Sequence, residues 1–200
     1  MGEPVLSCPL LLVLPLLFFF STTFPCFTIA QDSIAAGQFI NDTQTLTSTE
    51  GRFELGFFTP GRSKHRYLGI WYKRVPNRTV VWVANRLRPL PGSTGVLTMF
   101  PNGTLVLTDA SSAVYWSAGT AGATVNPLAR LLDDGNFVLL DAGRPDTGSY
   151  AYQSFEDPAD TMLPGMRLGV DLRTGHSRNI TMWRSEDDPG PGVFSFGIDP

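Results

Sequence analysis

In ARLLDDGNFVLLD, residues Ala129–Asp141, two apolar runs flank Asp134-Gly135. Asp-Gly between alternating hydrophobics predicts a hairpin closed by a tight type I′ turn. Such a turn needs positive φ at both central residues, which glycine adopts without strain. Beyond the turn, Phe137 and Leu139 fall on one face and Asn136, Val138 and Leu140 on the other. The first face is expected to build a core and the second to present a short row to solvent.

The pattern recurs. NGTLVLTD (Asn102–Asp109) aligns with DGNFVLLD (Asp134–Asp141) without a gap, and EGRFELGF (Glu50–Phe57) keeps the glycine and the apolar pair Phe53 and Leu55. The plan reads as one hairpin used three times. A single such unit cannot bury its apolar face, whereas three facing inward can. Trp82 lies in VVWVA (Val80–Ala84), a run apolar on both faces, and is expected to be buried. Trp116 is expected to pack against the shared centre, and Trp71, Tyr72 and Tyr115 read as core rather than as a sugar-stacking platform.

Aromatic and β-branched runs predict strands over 52–58, 67–73, 79–84, 95–99, 104–109, 113–117, 128–132, 136–140 and 150–155. Residues 31–49 read as a polar strand or loop around Ile40 and Leu46. No amphipathic helix is apparent. Short strands separated by Gly and Pro give an all-β barrel, sandwich or prism. EDPADTMLPG (Glu156–Gly165) is turn-rich, and Met166–Pro200 reads as the start of a second unit.

The apolar run Leu10–Phe20, with small residues at Thr28 and Ala30, predicts a signal peptide over residues 1–30 and a mature start at Gln31. Spanning a bilayer takes roughly 20 apolar residues, so the run is too short to cross comfortably, and no later run in this segment is long enough. Both cysteines, Cys8 and Cys26, precede the cleavage site. The mature segment, about 170 residues, must then be held by apolar packing rather than disulfides. Net charge is −3. Its basic residues are scattered apart from the loose cluster Arg62, Lys64, His65 and Arg66, which reads as a solvated loop, and this excludes nucleic acid as a partner.

Nothing supports catalysis. His65 and His176 sit in no nucleophile or metal motif, and no metal or other cofactor is expected. Asp133-Asp134 and Glu186-Asp187-Asp188 offer paired carboxylates of the kind a glycosidase uses. Each lies in a turn, where Asp is favoured for backbone reasons. Four sequons, at Asn41, Asn77, Asn102 and Asn179, are candidate N-glycosylation sites; Asn102-Gly103 is also hairpin chemistry.

Three segments together carry a resemblance: GRFELGFF (Gly51–Phe58), YLGIWY (Tyr67–Tyr72) and VVWVANR (Val80–Arg86). They resemble the bulb-type, or monocot mannose-binding, lectin domain, as found in plant G-type lectin S-receptor-like kinases and S-locus glycoproteins. Gln153-Ser154-Phe155, Pro158, Asp160-Thr161, Leu163-Pro164-Gly165-Met166 and Leu168-Gly169 resemble that family's stretch after the lectin domain. Trp183, Ser185, Asp187-Asp188-Pro189 and Gly192 resemble the opening of an S-locus glycoprotein domain. The resemblance implies a β-prism II fold, three antiparallel four-stranded subdomains about a pseudo-threefold axis, followed by the start of a second domain. The expected boundaries are 31–156 for the lectin domain, 157–182 for a linker, and 183–200 for the opening, cut off, of the next domain.

In the sugar-binding relatives each subdomain carries Gln-x-Asp-x-Asn-x-Val-x-Tyr, whose polar groups bind sugar hydroxyls while Val lies against ring carbons. The third repeat keeps Asp134, Asn136 and Val138 but has Leu132 for Gln and Leu140 for Tyr. The second reads Phe100, Asn102, Thr104, Val106, Thr108. The first, placed on Ser48, Glu50, Arg52, Glu54 and Gly56, keeps none of the pattern. Losing two hydrogen bonds at about 0.5–1.5 kcal/mol each weakens a shallow site by roughly 5- to 150-fold.

The expectation is therefore an extracellular recognition module of a plant receptor-like kinase or a secreted relative, with a degenerate mannose site at Asp134, Asn136 and Val138. The alternative is a working mannose-binding defence lectin. The partner would be a mannose-type glycan, a protein or peptide ligand, or a related ectodomain in a homo- or heterodimer. Any kinase activity would belong to a longer parent chain.

Overall fold

The computed structural model describes residues 31–144 and 148–198. The expected signal peptide and both cysteines lie outside the described residues. Residues 31–47 form three short strands, β1 (Ser33–Ala35), β2 (Phe39–Asn41) and β3 (Leu46–Thr47). Nine more come after them in threes: β4 (Phe53–Phe58), β5 (Tyr67–Tyr72) and β6 (Val80–Val83); β7 (Val96–Met99), β8 (Leu105–Thr108) and β9 (Val114–Ala118); β10 (Pro127–Leu131), β11 (Phe137–Asp141) and β12 (Tyr152–Gln153). Each trio makes an antiparallel sheet and takes its fourth strand from residues 31–47. The orders are β3-β4-β5-β6, β2-β7-β8-β9 and β1-β10-β11-β12. The opening segment thus threads all three sheets and ties the earliest strand to the last repeat.

One core layer takes a residue from every one of these twelve strands. Leu46, Leu55, Ile70 and Trp82 lie side by side across the first sheet. Ile40, Leu97, Leu107 and Trp116 do so across the second, and Ile34, Ala129, Leu139 and Tyr152 across the third. The aliphatic members and Trp82 are 0–1% exposed, and each large one contributes about 1.5–3 kcal/mol by leaving water. The three aromatics meet edge to face, Trp82 with Trp116 at 5.9 Å and Trp116 with Tyr152 at 5.7 Å. The same four-place register in each sheet is the pseudo-threefold relation that the resemblance implied.

That register corrects two expectations. The Asp134-Gly135 turn is not type I′. Gly135 N–H donates to Leu132 O at 3.1 Å and Leu132 N–H to Asn136 O at 2.9 Å, with φ +89° at Gly135 alone. This is a three-residue loop, a type I turn followed by a left-handed glycine. Phe100–Thr104 closes identically, with Gly103 at φ +90°. The Gly51 turn, however, joins the first and second strands of its sheet, whereas the other two join the second and third. So EGRFELGF is not the counterpart of the other two repeats; YLGIWY on β5 is.

Residues 157–166 form no strand among the described residues, yet Ala159, Leu163 and Met166 sit in the core cluster. A small hairpin, β13 (Gly169–Val170) with β14 (Ser177–Arg178), comes next. Then comes a longer one, β15 (Ile180–Ser185) with β16 (Asp188–Phe196). The Arg86 guanidinium fastens this last hairpin to the prism, donating to Pro189 O and Thr181 O at 2.7 Å each.

Candidate functional site

The outward face of each sheet is where the sugar-binding pattern falls, and the three faces differ. On the first, the register assigns the pattern to Phe58, Tyr67, Gly69 and Trp71, opposite in place to Leu132, Asn136, Val138 and Leu140 of the third. The alignment of the first repeat with Ser48, Glu50, Arg52, Glu54 and Gly56 is corrected accordingly. This face is closed by its own aromatics. Phe58, Tyr67, Trp71 and Val83 form a second buried cluster. Gly69 has no side chain because a Cβ there would come within 2.6 Å of Phe58 Cε1. Gly56 likewise leaves room for the Trp71 indole, whose N–H donates to Glu54 at 3.0 Å. Trp183 from β15 stacks on Phe58, with centroids at 6.2 Å and planes at 27°. Burial, aided by Asp188 and opposed by Arg184, raises the Tyr67 phenol above its ordinary range.

The third face was expected to present Asn136 and Val138 to solvent. Both are buried, at 4% and 1% exposure. β12 covers this edge, with Val138 opposite Gln153. Asn136 Nδ2 donates to Gln153 Oε1 at 3.0 Å, and its Oδ1 accepts from Ser154 Oγ at 3.2 Å and Phe155 N–H at 3.3 Å. Ser154 Oγ in turn accepts from Phe137 N–H at 2.9 Å. Gln153 passes the chain on to Glu156, which Arg178 meets at 2.6 Å. Asp134 is exposed, and its Oδ1 accepts from Asn136 N–H at 2.9 Å, an Asx turn.

The second face is open. Phe100 is 42% exposed and Thr104, Val106 and Thr108 are half-buried. Asn102 Oδ1 accepts from the Thr104 N–H and hydroxyl at 3.0 and 2.7 Å. Of the pattern only Val106 remains. The sequence profile of the family described as D-mannose binding lectin matches residues 79–184. The chain belongs to that lectin family. It is 47% identical over 186 residues to an S-locus-specific glycoprotein of Brassica oleracea var. alboglabra, covering 92% of this chain and 42% of that one. It is 44% identical over 180 residues to a receptor-like serine/threonine-protein kinase of Arabidopsis thaliana, covering 88% and 21%. The lectin chain thus spans less than half the length of either relative. Among solved structures it is similar to the mannose-specific agglutinin of snowdrop bulbs complexed with methyl-α-D-mannoside. That match has TM-score 0.44 and 20% identity over 60% of this chain and 98% of that one.

The remaining acidic and glycosylation candidates lie in loops and turns or at strand ends, Asn41 closing β2 and Asp188 opening β16. Asp133 Oδ1 accepts from Glu50 N–H at 2.8 Å, and Asp187 Oδ1 accepts from Arg62 N–H at 2.5 Å, so both acidic clusters fasten loops. Asn41 repeats the Asn102 geometry, its Oδ1 accepting from Thr43 N–H and hydroxyl at 3.0 and 2.8 Å. Asn77 is exposed in a turn, while Asn179 is half-buried beside Gly197. Among the described residues no helix is long and apolar enough to cross a membrane. Sequence reasoning missed Tyr67, Gly69 and Trp71 as pattern positions. The signal available was the order of runs: VVWV follows YLGIWY as VYWSA follows LVLT, and each later run carries a tryptophan, Trp82 and Trp116.

Proposed function

We propose that this chain is the extracellular recognition module of a plant receptor-like kinase or of a secreted relative, non-enzymatic in itself, on a lectin fold whose mannose sites are degenerate. Family membership supports a carbohydrate-binding ectodomain. One observation carries the finer reading: no outward face offers the complete set of polar groups. The first is filled by Phe58, Trp71 and Trp183. The third has committed the Asn136 amide to Gln153, Ser154 and Phe155. The second keeps only Val106. A sugar at Asn136 would have to break three internal hydrogen bonds before making its own, a cost of about 0.5–1.5 kcal/mol for each.

The test is retention on immobilised mannose, comparing the wild-type secreted chain with Leu132→Gln/Leu140→Tyr. That variant restores the two missing pattern residues on the third face. Neither is expected to be retained, because restoring the flanks leaves the central Asn136 engaged. Wild-type retention competed by free methyl-α-mannoside and abolished by Leu140→Asp would replace this reading with that of a working mannose lectin.

A further inference from the structure

At one end of the prism the first and third sheets part around a cavity of about 540 Å³. Its inner wall is aromatic. Tyr72, at the end of β5, and Phe53, at the start of β4, pack with centroids 5.0 Å apart. Gly135 makes this possible, since a Cβ there would come within 2.9 Å of Phe53 Cε1. The rim is charged with both signs and comes from three separate turns: Glu50 and Arg52, Arg74, and Asp133 with Asp134.

The rim is held in place from below. Arg74 Nη2 donates to Glu50 O at 2.5 Å, and Glu50 N–H donates to Asp133 Oδ1 at 2.8 Å. Asp134 Oδ1 accepts from Asn136 N–H. Each of the two aspartates thereby uses one oxygen on the backbone, and its second oxygen has no protein partner among the described residues. Arg74 has further N–H donors beyond the one it uses. An aromatic floor with fixed acceptors and donors around it is complementary to a polyol whose one face is C–H and whose edges are hydroxyls.

We infer that this seam cavity between the first and third sheets is a saccharide site, taking one neutral pyranose ring against Tyr72. Its hydroxyls would meet Asp133, Asp134 and Arg74. The inference rests on the reading that the module still recognises a carbohydrate, and it moves that recognition off the outward faces. The rim disfavours an acidic sugar: Arg52 is paired with Glu50 at 2.6 Å, which leaves Arg74 beside Asp133 and Asp134 and one carboxylate in excess, so a uronate would be repelled while hydroxyls can pair with the remaining acceptors and donors. A purely apolar side chain would desolvate those charges without pairing them.

The test is saturation-transfer NMR on the whole secreted chain with methyl α-mannoside, methyl β-glucoside, methyl β-galactoside and N-acetylglucosamine. Competition titrations are then run with Tyr72→Ala, Arg74→Ala and Asp133→Asn. The last keeps an acceptor for Glu50 N–H, so it tests the site without loosening the turn. At least one pyranoside is expected to receive transfer, with affinity falling tenfold or more in Arg74→Ala and in Asp133→Asn. Transfer unchanged in both but abolished by Leu140→Asp overturns the inference and the degenerate-face reading together. No transfer from any pyranoside overturns the inference alone. So does a peptide, rather than a sugar, that perturbs Tyr72 and Arg74.

Discussion

Asn136 accepts the Ser154 hydroxyl at 3.2 Å, eighteen residues along the chain, and both side chains are essentially out of water. This pair joins the tip of the third hairpin to the single 3-10 turn, Ser154–Glu156, that follows the short strand completing its sheet. Asn136→Ala removes three hydrogen bonds and leaves the buried Phe155 N–H without an acceptor. The expected cost is about 2–4 kcal/mol, summing lost bonds and one unsatisfied buried donor. Urea denaturation measures it. A sugar-contacting asparagine on an open face would instead leave the midpoint unchanged.

Gly56→Ala tests how the first face was closed. A Cβ at this position meets Thr45 Cγ2 at 2.7 Å and Trp71 Cη2 at 3.1 Å. The indole must shift, stretching its bond to Glu54 and disturbing the 4.5 Å approach of Arg78 over its ring. Overpacking of this kind costs about 1–3 kcal/mol, and tryptophan emission is expected to move to longer wavelength as Trp71 gains water. Gly92→Ala is the control, with nothing within 4 Å of the added carbon and no shift expected.

Nine of the twelve prism strands were legible because their runs alternate over four or more residues or carry aromatic clusters. β1, β2 and β3 were read only as one polar strand or loop around Ile40 and Leu46. Two- or three-residue strands show no periodicity, and each buries a single large apolar side chain, Ile34, Ile40 and Leu46. The threefold plan was legible, yet its first member was misplaced. The loop over residues 59–66 replaces the Asp-Gly signal with TPGRSKHR, which leaves Gly51 as the stronger turn signal nearby. The burial of Asn136 and Val138 was out of reach for another reason. Their neighbours, β12 and the 3-10 turn Ser154–Glu156, come only after Asp141 and a polar, glycine-bearing stretch of sequence, and local alternation cannot say which segment will pair with an outward-pointing row.

Arg86→Ala is expected to release the β15–β16 hairpin from the prism without unfolding the prism itself. The guanidinium reaches two carbonyls of that hairpin from a loop of the first sheet. Burial lowers its pKa, with Asp160 opposing that shift. Lysine has one ammonium and cannot span both carbonyls in the same fork, so Arg86→Lys should behave like Ala. Hydrogen exchange reads the result: amides of 180–196 exchange faster while those of β5, β8 and β11 keep their protection. Equal acceleration in all strands would mean that the two units unfold as one.

Acid should act on this fold in two opposed limbs. Asp109 and Asp141 close equivalent repeats, and both are held below the ordinary aspartate range. Asp109 is lowered first by the Ser111 hydroxyl, with Tyr115 and backbone N–H groups adding, and Asp141 by the N–H groups of Val125, Gly143 and Asn126. A carboxylate depressed in the folded state binds fewer protons there than when unfolded. Its stabilisation is therefore complete above the ordinary range and is lost as pH falls through the folded value. Asp157 runs the other way: burial raises it, His176 opposes, and Glu156 adds. Its folded form binds the proton more readily, so stability rises as pH falls through its folded value, above the ordinary range. Urea midpoints measured from neutral pH downward should first climb slightly and then drop. Asp157→Asn should flatten the climb and leave the drop, and Asp141→Asn should do the reverse. A single monotonic fall that neither variant changes would show that the acid sensitivity arises from other carboxylates.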